Sequence, residues 1–148
     1  IKHAVILKNL VIMTIQWTAV GFNYYIIAYQ LKYFPGNIFV NTYVTALADL
    51  LGYLIGGTFM YKHIGIKHTL STCFSIGTIG SILIILNANS PFFPVFVLIG
   101  QFGIASGFCI VWIANIEVFP TLFSVTAFGI CNFVSRFVTI FAPNVAEA

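Results

Sequence analysis

Five long apolar runs, separated by short polar or proline-bearing breaks, fill this chain. The first extends from about Asn9 to Leu31, between Lys8 and Lys32, and the second from about Asn37 to Met60, after the Phe34-Pro35-Gly36 turn. The third covers about Thr69 to Leu86, with a break over Asn87–Pro94 behind it. The fourth covers about Val95 to Ile116, ahead of Glu117 and Pro120, and the fifth about Val125 to Ala142, ending at Pro143. An α-helix rises 1.5 Å per residue, so about 20 apolar residues cross the hydrocarbon core of a bilayer. Each run therefore predicts one spanning helix. The runs are too long for strands and do not alternate, which argues against a β-barrel. The fold class expected is an all-α integral membrane protein with five transmembrane helices, forming one partial bundle over 1–148.

Composition agrees. Of 148 residues, 60% are hydrophobic and only 6% are charged, where a soluble domain carries about 25% charged residues. So few charges cannot cover a water-facing surface, and the lipid bilayer is the implied partner. The net charge of +3 forms no basic face for nucleic acid. Cys73, Cys109 and Cys131 lie inside apolar segments without metal-site spacing and read as small buried hydrophobes. His3, His63 and His68 are widely spaced near basic ends, and no metal or other cofactor is expected. The first apolar run is too long for a cleavable signal peptide and lacks its small-residue cleavage pattern. The chain begins without Met, so a longer parent protein is expected. Glu147, near the end, carries no reading.

Each helix has a smaller or more polar face, expected to point into the bundle. In the first run Gln16, Asn23 and Gln30 recur every seven residues on one stripe. In the second, Asn41, Thr45, Asp49, Gly52 and Gly56 share a face, and Gly52 with Gly56 forms a pair that lets backbones approach closely. Gly100, Gly103 and Gly107 do the same in the fourth; Gly129, Asn132, Arg136 and Thr139 line up in the fifth. Tyr24 and Tyr25 sit mid-span in the first run, either lining a cavity or packing between helices.

Two formal charges fall well inside spans: Asp49 and Arg136, the latter the sole arginine. A charge at a helix centre costs about 2.5 to 3.5 kcal/mol on insertion scales. Such residues face a cavity or a partner. The two could pair with each other, one could bind a charged substrate, or Asp49 could relay protons, which a guanidinium cannot do. Glu117, at the end of the fourth run, suits a structural or gate-locking charge.

At Glu117-Val-Phe-Pro-Thr121, followed by Gly129, Ser135-Arg136 and Ala142-Pro143, the chain resembles the carboxyl-terminal half of organic ion transporters of the major facilitator superfamily. That family shows Glu-Leu-Tyr/Phe-Pro-Thr after its tenth helix. The Asn37-Ile38-Phe39 entry, Asp49, the Tyr24-Tyr25 pair and the Lys62-to-Lys67 loop resemble its eighth helix, seventh helix and basic loop. The resemblance implies that the five spans match helices seven to eleven. It implies an amino-terminal half or neighbouring membrane subunits as partners, and a small organic ion as cargo. Family members that carry organic anions or zwitterions have Arg where Arg136 stands, so an anionic or zwitterionic substrate is implied. Arg136 would hold it, and Asn132, Tyr24, Tyr25, Gln16 and Asn23 would line its cavity. Asp49, Glu117, Lys62 and Lys67 would be gating or structural charges. The chain departs from the family at Lys62, where an acid is usual, at His63, where Arg is usual, and at Ser124, where Arg follows the Pro-Thr pair.

The leading expectation is thus secondary transport by alternating access, in the plasma membrane or an organellar one. The alternative is a transporter-derived structural subunit without transport activity. A channel lacks its filter loop, and an enzyme lacks a nucleophile, base and orienting group together. Lys2, Lys8, Lys62 and Lys67 fall on one side of the membrane against Lys32 on the other, which predicts a cytoplasmic amino end. A protease-sensitive tag fused there should be cut only when the cytoplasmic face is opened; cutting from outside intact cells would reverse the topology.

Overall fold

The computed structural model describes residues 2–87 and 90–146, with side chains from residue 5. Glu147 and the side chains of Lys2 and His3 lie outside the described residues. The chain forms helices α1 (Lys2–Gln30), α2 (Ile38–Ile64), α3 (Ile66–Leu86), α4 (Phe93–Val118), α5 (Thr121–Thr139) and a short α6 (Ala142–Ala146). The first five are long and apolar enough to cross a membrane. The protein is an all-α membrane bundle.

Local chemistry sets the breaks. Gly36 takes φ 97°, and the Asn37 side chain caps α2 by accepting from the Phe39 amide at 2.9 Å. Gly65, at φ 82°, turns α2 into α3 with no intervening loop, its amide donating to the Tyr61 carbonyl. Pro120 separates α4 from α5, and its carbonyl accepts from Phe123 and Ser124. The Asn115 carboxamide crosses the same break to the Ser124 carbonyl at 3.2 Å. Within α2 the backbone widens to a π-helical stretch over Gly52–Met60. Such stretches are rare and recur at functional sites.

Helix α4 is the centre. About half of its apolar stretch (50%) is enclosed by the protein, against 17–28% in the other four spans. It packs against α1, α2 and α3, the contact with α3 being the most extensive in the molecule. Backbone approach explains that contact. A Cβ added to Gly80 would lie 2.3 Å from the Gly100 Cα, and one added to Gly103 would lie 2.3 Å from the Gly77 amide nitrogen. On the opposite flank, a Cβ on Gly56 would meet Ser106 Cβ at 2.6 Å and one on Gly52 would meet Ala105 Cβ at 2.9 Å. The Ser106 hydroxyl donates to the Gly52 carbonyl at 3.2 Å. Near the other end, Trp17, Trp112 and Phe128 form an aromatic cluster joining α1, α4 and α5, with ring centroids 4.7–5.3 Å apart.

The expected inward faces of α2 and α4 point inward: Asn41, Gly52, Gly56, Gly100, Gly103 and Gly107 are buried. Those of α1 and α5 do not. Helix α1 buries Met13, Trp17, Val20 and Ile27 instead, while Asn23 is exposed. Helix α5 buries Ala127, Cys131 and Ser135, while Gly129 and Arg136 are exposed. The reason is steric: Gly21 of α1 brings the two backbones together so closely that an added Cβ would lie 2.7 Å from Ser135 Oγ. Small and apolar residues fill that seam, and the polar stripes rotate out to its margins.

Gly80→Ala and Gly103→Ala should each destabilise the bundle by about 1–3 kcal/mol, since neither backbone can yield without overpacking. Gly129→Ala, with no atom within 4 Å of the new Cβ, should be neutral or stabilising by up to about 1 kcal/mol. Denaturant titration in micelles, followed by helical circular dichroism, measures all three.

Candidate functional site

The two intramembrane charges do not pair with each other. They are joined through the consecutive tyrosines of α1. Neighbouring residues on a helix point about 100° apart, so Tyr24 turns to α2 and Tyr25 to α5. The Tyr24 hydroxyl donates to Asp49 Oδ2 at 3.1 Å. On the other side Arg136 donates through its Nη1 to the Tyr25 hydroxyl, with its guanidinium carbon 5.3 Å from the Tyr25 ring centroid. The two tyrosine rings meet edge to face at 5.8 Å. Phe108 of α4 backs Tyr24 at 5.9 Å.

Asp49 has a second partner that the sequence pattern did not single out. Gln101 of α4, 4% exposed, donates from Nε2 to Asp49 Oδ1 at 2.7 Å. Its own Oε1 is buried without a hydrogen-bond partner among the described residues. The carboxylate therefore accepts from two neutral groups, one on α1 and one on α4, while being carried on α2. The signal that could have found Gln101 is its place beside Gly100 on the close-packed helix, where a lone carboxamide needs a partner.

Of the expected cavity residues, the structure brings Tyr24, Tyr25 and Arg136 into one connected set. Asn132, half-buried, lies one turn before Arg136 on the same side of α5. Gln16 stands apart, nine residues and thus about 13 Å along α1 from Tyr25. Asn23 belongs elsewhere: it lines a cleft of about 180 Å³ between α1, α3 and α4, with Val20, Phe74, Thr78 and Ser81. Its own amide back-bonds to the Ala19 carbonyl at 2.8 Å. Asp49, expected as a gating or structural charge, accepts directly from one of the two tyrosines, Tyr24.

Glu117, Lys62 and Lys67 gather at the far end of α2 and α4. Glu117 accepts from the Tyr61 hydroxyl, so among the described residues a phenol and not a cation meets it. Lys62 and Lys67 stand exposed on the adjoining turn. Helices α2 and α4, running side by side, are thus tied at three levels: Asp49–Gln101, the Gly52 carbonyl with Ser106, and Tyr61–Glu117. The π-helical stretch lies between the outer two ties.

The fold and these hydrogen-bonded charges define a multi-pass membrane protein whose polar groups are concentrated on helix faces. No protein-family model matches the chain. The chain is similar to organic cation/carnitine transporter 2 of Homo sapiens, 23% identical over 142 residues that cover 93% of this chain and 25% of the relative. It is similar to solute carrier family 22 member 21 of Mus musculus (23% identical, 91% and 25% covered) and to member 15 of Xenopus tropicalis (26% identical, 96% and 28% covered). The chain therefore spans about a quarter of the length of these relatives. Nearly all of it aligns with these relatives, which is consistent with the carboxyl-terminal half that its Glu117-to-Pro143 motif implied.

Replacing Gln101 with Leu should cost about 1–3 kcal/mol, because it strips one donor from a carboxylate in a low-dielectric setting. Removing the carboxylate as well, with Asp49→Leu, should recover much of that loss. Unfolding titrations of the two single variants and the double variant test it; simple additivity would separate the two residues energetically.

Proposed function

We propose that this bundle is one wall of a secondary transporter for small organic ions, with Arg136 receiving the negative group of an anionic or zwitterionic substrate. One observation carries the reading. A guanidinium stands in the last turn of α5, on its exposed side, donating to the Tyr25 phenol. A guanidinium cannot shed its charge, and a carboxylate would complete it through paired, charge-assisted hydrogen bonds. Tyr25 holds the fork in place, Tyr24 and Tyr25 present aromatic surface beside it, and Asn132 offers an amide one turn away. Gln16 adds a polar group farther along α1, and Asn23 adds one to the neighbouring cleft between α1, α3 and α4. The relatives' names support organic ions as cargo, and carnitine itself bears both a carboxylate and a cation.

Transporters of this architecture bind between two halves and rock them about a site near the midplane. The opposite wall would come from the rest of a longer protein or from neighbouring subunits. In this reading Asp49, within α2, and Glu117, Lys62 and Lys67, at its far end, act as gating or structural charges, the amino end is cytoplasmic, and the plasma membrane is the expected residence. The second reading, a structural subunit without transport, draws on one feature: Glu117 is matched by Tyr61 instead of a base, so the charge lock of a working gate is thinned.

Uptake of labelled organic anions by the full-length protein separates them. Arg136→Asp should reduce anion uptake to background, and Arg136→Lys should raise the half-saturating concentration by about tenfold, through loss of the forked geometry. Unchanged uptake in Arg136→Asp removes Arg136 from the site. A wild type that carries nothing, yet copurifies with other membrane subunits, supports the structural role.

A further inference from the structure

We propose that the turn joining α2 to α3 is a docking surface for anionic lipid headgroups, formed by Lys62, His63, Lys67 and His68. All four side chains are exposed. They fall within seven consecutive residues around Gly65, whose φ of 82° folds the chain back on itself. The Gly65 amide bonds to the Tyr61 carbonyl at 3.2 Å and the Thr69 amide to the Gly65 carbonyl at 3.0 Å, so the turn is compact. Both flanking helices are spans, which sets this basic turn at headgroup level and not in the hydrocarbon.

Three features favour a lipid over a phosphate in solution. Phe59 and Ile64, 63% and 48% exposed, adjoin the basic residues on the acyl side, so cationic and apolar groups meet as they do in a phospholipid. The Phe59 ring also holds His63, with centroids 4.6 Å apart. The amino-terminal turns of α1 pack alongside, since Ile6, Leu10, Ile66 and Leu70 share one apolar cluster; this brings the exposed Lys8 to the same rim. The acid at this end, Glu117, is engaged by Tyr61. Finally, α3 starts with no side-chain cap and no acid in its first turn, while Lys67 and His68 occupy it. The Lys67 cation there opposes the helix dipole, and a neighbouring headgroup phosphate relieves that opposition. Juxtamembrane basic residues are drawn to anionic leaflets in this way, with a reach of about one Debye length.

The test uses the protein reconstituted in vesicles of mixed phosphatidylcholine and phosphatidylserine, followed by mass spectrometry of the lipids that stay bound on extraction. The wild type should retain phosphatidylserine in excess of its share of the bilayer. Replacing Lys62, His63, Lys67 and His68 together by Gln should lower that enrichment by about tenfold, with helical circular dichroism unchanged. Lys62→Arg with Lys67→Arg should preserve it. Bound lipid of bulk composition in the wild type overturns the proposal, as does enrichment that survives the four Gln substitutions.

Discussion

Lipid is as apolar as leucine, so helices in a bilayer gain little by burying apolar side chains against each other; close backbone approach and hydrogen bonds must hold them. The rest of this structure depends on that constraint as α4 meets it. Its glycines let α3 approach to backbone contact on one flank, and Gly52 and Gly56 of α2 meet Ala105 and Ser106 on the other. Once α2 is seated there, its register is settled. Asp49 then faces Gln101, the Gly52 carbonyl faces Ser106, and Tyr61 faces Glu117. The polar contacts follow from the steric ones.

The treatment of charge follows from the same arrangement. An ion pair between Asp49 and Arg136 would have joined α2 to α5 directly. Instead α1 stands between them and assigns one tyrosine to each. The carboxylate is quenched by neutral donors within the bundle, while the guanidinium, supported by one phenol, stays at the margin of α5. The two charges thereby keep different environments: Asp49 is half-buried between α1 and α4, and Arg136 is exposed on α5. Among the described residues no carboxylate meets the guanidinium, which donates to the Tyr25 hydroxyl instead; a standing carboxylate partner would occupy the same forked donors.

Much of this was legible along the chain. In hydrocarbon the helix is the one open conformation that satisfies its own backbone, so five apolar runs could become little else. A charge among apolar neighbours stands out for the same reason, and Asp49 and Arg136 were visible without any structure. Gln101, Ser106 and Tyr61 were not. Serine and threonine within a span can satisfy themselves on the preceding turn, as Thr14, Ser75 and Ser81 do here, so a polar residue by itself does not announce a partner. The seven-residue recurrence of Gln16, Asn23 and Gln30 correctly marked a stripe but not its direction. Gly21 facing Ser135 drew a neighbouring, apolar face of α1 into the seam with α5 and turned Asn23 toward a different cleft.

The sequence by itself determined that this stretch forms five membrane-length helices, where its turns fall, and which two charges must be accounted for. Those follow from the cost of exposing backbone or charge to lipid, which depends on residue type and local run length alone. Only the tertiary structure decided which charge is enclosed and which is left open, that a buried glutamine completes the acid, and that a phenol, not a base, meets Glu117. Those outcomes depend on which helix faces touch, and that choice rests on close contacts between residues such as Gly80 and Gly100 or Gly56 and Ser106, distant along the chain, that no local pattern reports.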